Sequence, residues 1–381
     1  MKKAIYAFSG DPITFGHLDI IERAARVFDK LIVGIGVNPV KKYLMSLEER
    51  AELAKTATAH IPNVEVIYFR GLLVDYAYEN NIPTIIRGLR NNEDFSFELM
   101  LHQIGESQKM YIDTFFIPSK QDLTHISSGA VKAIQLEQGM IHEYVPLIVK
   151  QKLEERLSGQ YIIGVTGEIG SGKSFVCKTI QELGQVAGIE VHIVDIDHLG
   201  HEILEKLQEP LFKTLREAIA KEFGETLLTD EGFIDTKALG KIVFSDITKL
   251  NHLNKLLYKP LLLRLRKAIY GKKGIILLDS ALITESGMSY LCNNNVILIK
   301  TNKDDQLKRL KERRYTQAQI DGRLNSQYNY EAKRTYLEKE IYDKNHGKIT
   351  YLDNVEDNSS ESIKKLTDIL FNAFKPEKLL R

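Results

Sequence analysis

The sequence predicts an α/β protein of two consecutive domains, each a parallel sheet flanked by helices. Short β-rich apolar runs alternate with longer stretches of helical period. The alternation begins afresh near residue 160. A chain of 381 residues also exceeds the size at which one hydrophobic core usually stops growing.

In the first part the apolar runs are Ala4-Ile5-Tyr6-Ala7-Phe8, Leu31-Ile32-Val33-Gly34-Ile35, Val64-Glu65-Val66-Ile67-Tyr68, Thr84-Ile85-Ile86 and Thr114-Phe115-Phe116-Ile117. Leu18, Ile21, Ala25 and Phe28 share one helical stripe, and Leu47, Ala51, Ala54 and Ala57 another, so these segments are expected to cover the sheet. The second series starts at Tyr161-Ile162-Ile163-Gly164-Val165-Thr166. It continues with Val191-His192-Ile193-Val194 and Gly274-Ile275-Ile276-Leu277-Leu278, and ends with Val296-Ile297-Leu298-Ile299-Lys300 and Ile349-Thr350-Tyr351-Leu352. A helix over 146–157 and then Ser158-Gly159-Gln160 separate the two, which places the domains at 1–158 and 159–381. Ile363, Leu366, Ile369, Leu370 and Phe374 form a last amphipathic stripe before a basic tail.

Composition narrows the function classes. Hydrophobic residues at 43% and charged residues at 27% describe a soluble globular protein, and no apolar run approaches the roughly 20 residues that span a bilayer. Asp11 interrupts the opening segment before a signal-peptide core could develop. With only Cys177 and Cys292, neither a disulfide framework nor a four-cysteine metal site is expected, and a cytoplasmic setting follows. The 52 basic and 51 acidic residues cancel, so no overall field points to nucleic acid as a partner. Phosphate recognition must be local.

One such locus is Gly167-Glu168-Ile169-Gly170-Ser171-Gly172-Lys173-Ser174-Phe175, which fits the P-loop pattern between an apolar strand and a helical segment. Small residues there let backbone N–H groups curl around the phosphates of ATP, Lys173 supplies a charge, and Ser174 offers an oxygen to Mg²⁺. Asp195 and Asp197 stand at the end of the next strand, where one can accept a hydroxyl proton and the other order metal-bound water. A helix cap for Leu199 onward is an alternative for them, and both roles are compatible. Arg309, Arg313 and Arg314 recur at helical spacing and could neutralise charge over the phosphates, with Arg323 and Gln327 a weaker pair of the same kind.

Together with Phe223-Gly224, the run Glu231-Gly232-Phe233-Ile234-Asp235-Thr236-Lys237-Ala238-Leu239 leading to Val243-Phe244, Gln306-Leu307-Lys308-Arg309 and Leu352-Asp353-Asn354, these motifs make the second half resemble the dephospho-coenzyme A kinase family. The resemblance implies a P-loop kinase in which Asp197 is the general base for the ribose 3′-hydroxyl, Asp195 lies beside it on the substrate, and Arg313 is a lid arginine. Lys259-Pro260 stands where the family commonly has His-Pro, and the segment Ala281 to Glu285 differs from a usual Pro-Leu-Leu stretch.

In the first half, Thr14-Phe15-Gly16-His17 follows the first strand and opens a helix, placing His17 at a positive helix end on the sheet's carboxyl edge. An imidazole donating there would stabilise charge on an α-phosphate. Arg87, Gly88, Leu89 and Arg90 follow another strand, Asp94 to Glu98 opens the helix behind them, and Lys41 and Lys42 follow the second strand. Ile126-Ser127-Ser128-Gly129 opens one more helix, offering hydroxyls and free N–H groups to a triphosphate.

These segments, with Asp11-Pro12-Ile13 and Leu47-Glu48-Glu49-Arg50, resemble the phosphopantetheine adenylyltransferase family, a Rossmann-like nucleotidyltransferase. The resemblance implies that His17, Lys41 and Arg87 act in catalysis and that Ser9, Lys41, Leu73 and Arg87 touch phosphopantetheine. It further implies that Ser9, Gly10, His17, Gly88, Leu89, Arg90, Glu98, Leu123, Thr124, His125, Ile126, Ser127, Ser128 and Gly129 hold ATP. The first strand departs from it, since Ala7-Phe8-Ser9-Gly10 stands where Pro-Gly-Thr-Phe is usual, and Gly129 replaces a frequent serine.

The combined expectation is an enzyme that makes dephospho-coenzyme A from 4′-phosphopantetheine and ATP, then phosphorylates it with a second ATP, with Mg²⁺ as cofactor. A homo-oligomer formed through the N-terminal domain is compatible with it. Two rivals stay open on sequence alone: a nicotinamide-mononucleotide adenylyltransferase fused to a nucleoside kinase, and a nucleotide-binding regulator without turnover.

Overall fold

The computed structural model describes residues 2–243, 246–313, 316–353, 364 and 366–368. It divides into two units, Met1–Leu157 and Ser158–Arg381, each built on one parallel five-stranded sheet.

The first unit contains β1 (Lys3–Phe8), β2 (Lys30–Ile35), β3 (Val64–Tyr68), β4 (Thr84–Leu89) and β5 (Asp113–Pro118), in the order β3-β2-β1-β4-β5. Its helices are α1 (Phe15–Ala25), α2 (Leu47–Thr58), α3 (Leu73–Glu79), α4 (Asn92–Ser107), α5 (Ser128–Leu136) and α6 (Leu147–Leu153). Ala4, Tyr6, Leu31, Val33 and Ile86 join one core cluster, while their neighbours Ile5, Ile32 and Ile85 join another with Ala77. Successive side chains point to opposite faces. Both faces are therefore covered, which is why these strands read as unbroken apolar runs. The chain steps outward from β1 to β3 and then returns past β1 to β4, and this reversal opens a crevice at the carboxyl ends of β1 and β4.

The second unit contains β6 (Gln160–Gly167), β7 (Val191–Asp195), β8 (Gly274–Asp279), β9 (Asn295–Lys300) and β10 (Lys348–Asp353), in the order β10-β9-β6-β8-β7. Around it lie α7 (Lys173–Val186), α8 (Ile196–Glu205), α9 (Pro210–Phe223), α10 (Thr236–Val243), α11 (Ile247–Ile269), α12 (Lys303–Glu312), α13 (Gln317–Ser326) and α14 (Tyr330–Lys344). Helices α8 to α11 enclose a core of their own around Ile203, Phe212, Ile219 and Leu239. The fully buried Arg216 donates to the carbonyls of Ile203, Leu207 and Gly232 at 2.7–2.8 Å, so it ties the end of α8 to the turn before α10.

Some elements differ from the sequence-based expectation. β4 runs on through Arg87, Gly88 and Leu89, because these residues pair with Phe116, Ile117 and Pro118 of β5; they belong to the strand rather than follow it. The helix expected over 146–157 ends at Leu153 and closes in a π-helical turn, Glu154–Ser158. Leu366 is buried in the core of the second unit. Its companions in the terminal stripe, Ile363, Ile369, Leu370 and Phe374, lie outside the described residues, as do Phe244, Arg314 and Asn354. Among the described residues no helix is long and apolar enough to cross a membrane.

Candidate active sites

The crevice of the first unit is a cavity of about 570 Å³. Ser9 and Gly10 line it after β1, His17 from α1, Lys41 and Lys42 after β2, and Leu73 from α3. Arg87, Gly88 and Arg90 line it from the end of β4, Glu98 from α4, and Ile126, Ser127, Ser128 and Gly129 at the start of α5. Leu89, Leu123, Thr124 and His125 are not among the lining residues. Leu89 ends β4, and the other three form the turn before α5.

His17 is the third residue of α1, whose N-cap is Thr14. The Thr14 backbone N–H donates to His17 Nδ1 at 3.1 Å, and the Thr14 hydroxyl lies 2.9 Å from the same nitrogen. Desolvation pushes the imidazole pKa down to about 3, helped by the positive charges of Arg90 and Lys41. The ring is neutral and carries its proton on Nε2. Arg87 pairs with Glu98 at 3.0 Å, and Arg90 with both oxygens of Asp94 at 2.6 and 2.9 Å. Two carboxylates of α4 thus aim two guanidinium groups at the carboxyl end of β4, Arg87 within it and Arg90 just after it, while desolvation raises the Glu98 pKa. Ser127 caps α5 by accepting from Ala130 N–H at 3.1 Å, and Ser128 Oγ donates to Pro12 O at 2.7 Å.

Two supports of this crevice went unread in the sequence. Buried Asp11 accepts from Leu44 and Met45 N–H at 3.0 and 3.2 Å and from Lys132 Nζ at 2.7 Å, so one carboxylate joins the loops after β1 and β2 to α5. Arg50, also buried, donates to the carbonyls of Ser9 and Gly36 and lies 3.9 Å over the Tyr43 ring. Both residues stood inside segments of the motif, yet partners 33 to 121 positions away for Asp11, and 14 and 41 away for Arg50, are invisible to local spacing.

In the second unit the P-loop joins β6 to α7. Gly170 and Gly172 have φ of 79° and 93°, left-handed values that favour glycine, and Gly172 is the N-cap of α7. Lys173 Nζ folds over the loop, 3.4 Å from Gly167 O and 3.2 Å from Glu168 O. Glu168 has its pKa raised by desolvation, and buried Ser171 and Ile169 complete the loop with Phe175 on the first turn of α7. From α12, Gln306 Nε2 donates to Ile169 O at 2.8 Å and Arg309 Nη1 to Gly170 O at 3.0 Å. Arg313 is exposed at the end of α12.

Asp195 caps α8, accepting from His198 N–H at 2.8 Å. Asp197, two residues on, accepts from Ser280 Oγ at 2.9 Å and Ala281 N–H at 3.4 Å. Desolvation raises its pKa, opposed first by Lys173. A carboxylate missed by the sequence reading is Asp279, the last residue of β8, whose Oδ2 accepts from Ser174 Oγ at 3.3 Å. Its pKa is raised to about 6 by burial, with Lys173 pulling it down and Asp195 and Asp197 pushing it up. An acid closing an apolar strand opposite a P-loop hydroxyl is the signal that could have found it. Serine and carboxylate oxygens are the hard donors Mg²⁺ prefers, and Ser174 and Asp279 fit that role as a pair. Among the described residues no group of three or more His, Cys, Asp or Glu side chains is arranged to hold a metal alone.

One crevice gathers cations and a neutral imidazole at a topological switch point, and the other places a P-loop beside paired carboxylates. They define a chain of two nucleotide-handling transferase units. A cytidylyltransferase-like family model matches residues 9–134, and the dephospho-CoA kinase model matches residues 161–349. The phosphopantetheine adenylyltransferase of Caldanaerobacter subterraneus subsp. tengcongensis is 45% identical over 156 residues, covering 41% of this chain and 98% of that protein. That of Carboxydothermus hydrogenoformans is 44% identical over 156 residues, covering 41% and 96%. The chain belongs through its first unit to the phosphopantetheine adenylyltransferase family and carries a dephospho-CoA kinase domain after it.

Proposed function

We propose that the first unit transfers AMP from ATP to 4′-phosphopantetheine, giving dephospho-coenzyme A and pyrophosphate, and that the second phosphorylates the ribose 3′-hydroxyl of that product with another ATP. The observation that carries this reading is the presence, in one chain, of a unit 45% identical to a phosphopantetheine adenylyltransferase and a kinase domain whose family acts on the product.

In the first step a phosphate oxygen of phosphopantetheine attacks the α-phosphorus of ATP and pyrophosphate leaves. The attacking group is already an anion, so positioning and charge stabilisation carry the catalysis. His17 Nε2–H donates to an α-phosphate oxygen, Arg90 and the N-terminus of α5 hold the triphosphate, and Lys41 and Arg87 hold the acceptor phosphate beside Ser9 and Leu73. In the second step Asp197 accepts the 3′-hydroxyl proton, and its raised pKa makes it a better base than an ordinary aspartate. The 3′-oxygen then attacks the γ-phosphorus and ADP leaves. Lys173 moves from the loop carbonyls to the phosphates, and Arg309 and Arg313 neutralise the remaining charge. Mg²⁺ at Ser174 and Asp279 would offset charge on the β- and γ-phosphates.

Mass-resolved product analysis with 4′-phosphopantetheine, ATP and Mg²⁺ tests the reading. Dephospho-coenzyme A should appear first and coenzyme A after it. Turnover of nicotinamide mononucleotide in preference to phosphopantetheine would overturn it.

A further inference from the structure

The Phe8 ring, at the end of β1, stacks on the His17 imidazole with centroids 4.3 Å apart and planes 15° from parallel. The Tyr6 ring, on the same face of the strand, also lies against it, with centroids at 5.0 Å. Phe8 and His17 both line the cavity of the first unit. Two residues on, Gly10 has φ of 64°, and a Cβ built there would meet Ile35 Cδ1 at 3.1 Å and Phe8 Cε2 at 3.4 Å. The ring of Phe8 therefore stands against the space that a side chain at position 10 would enter.

A ring at position 8 and a ring at position 10 would compete for one volume, and the left-handed backbone at Gly10 adds its own preference for glycine. The face of the imidazole, meanwhile, is covered by carbon rather than water. His17 has one edge fixed by the Thr14 N–H and one face fixed by Phe8. The plane of the ring, and with it the direction of Nε2–H, is set by those two contacts.

We infer that Phe8 is a positioning residue of the adenylyl-transfer site, which orients the His17 donor by stacking. This deepens the adenylyl-transfer reading and rests on it.

The test compares the full chain with Phe8→Leu and Phe8→Gly. Dephospho-coenzyme A formation is the first readout. Phosphorylation of added dephospho-coenzyme A by the second unit reports the amount of active protein, and the ring-proton resonances of His17, assigned with His17→Asn, report the stacking directly. Phe8→Leu should abolish the upfield ring-current shift of His17 and lower kcat roughly tenfold or more, as a small misorientation of a catalytic donor does, with KM for ATP moving much less. Unchanged kcat in Phe8→Leu or a Phe8→Gly chain faster than the unaltered one would overturn the inference. If the unaltered chain forms no dephospho-coenzyme A while Phe8→Leu still removes the His17 shift, the reaction assigned to the site fails and the stacking stands.

Discussion

The Thr14 backbone N–H donates to His17 Nδ1 at 3.1 Å, so Nδ1 must accept and the neutral ring keeps its proton on Nε2. With its pKa at about 3, His17 should remain neutral in NMR titration from pH 8 to 5. The unfolded chain binds this proton with an ordinary pKa of about 6.5. The contribution of His17 to stability is therefore complete above that value and lost as pH falls toward 3. A His17→Asn chain should show a shallower loss of first-unit stability in that window, read from urea unfolding at several pH values.

Activities in separate units should be separable by single changes. Replacing His17 with Asn should lower dephospho-coenzyme A formation by about 10²–10³, the usual effect of removing one transition-state donor, and leave phosphorylation of added dephospho-coenzyme A intact. Lys173→Ala should do the reverse. Loss of both activities from either change in a folded chain would contradict independent sites.

The Ser174–Asp279 pair predicts a pH-dependent metal requirement. Asp279 must lose its proton before it can take part in holding Mg²⁺, and its pKa is about 6. The Mg²⁺ concentration giving half-maximal kinase rate should rise as pH drops below that value and stay level above it. In Asp279→Asn the dependence should disappear and the requirement should be at least about tenfold higher at pH 8, because a hard-oxygen site has lost its charge.

Lys333 of α14 is fully buried, with Nζ 2.6 Å from both Glu285 Oε1 and Ala281 O. Glu285 Oε1 also accepts from Tyr328 N–H at 2.8 Å. This pair anchors the loop that supplies Ser280 and Ala281 to Asp197. Breaking a buried pair by removing one partner costs about 3–5 kcal/mol, so Lys333→Met should destabilise the second unit by that order. Amide exchange at 281–285 should accelerate, and kinase kcat should fall with little change in the adenylyl-transfer rate.

Much of this protein was legible in the sequence, because the relevant chemistry is local. A P-loop and the segment Thr14 to His17 are each a few consecutive residues at a strand-to-helix junction, and a helix N-terminus binds anions wherever it occurs. Unbroken apolar runs likewise announce strands buried on both faces, and the restart near residue 160 announced a second sheet. Asp279 was less visible, since the same letter could end a strand or open a turn.

What the sequence alone determined is the pair of sheets, the phosphate-binding loops at their carboxyl edges and the order of the two units. The tertiary structure decided which partner each carboxylate meets: Glu98 with Arg87, Asp94 with Arg90, Asp11 with Lys132, and Asp279 with the Ser174 hydroxyl across 105 positions. It also laid Phe8 on His17. Those meetings depend on sheet order and strand register, which bring distant segments within hydrogen-bond reach, and on burial, which shifts the pKa of each group only after the fold has removed its water.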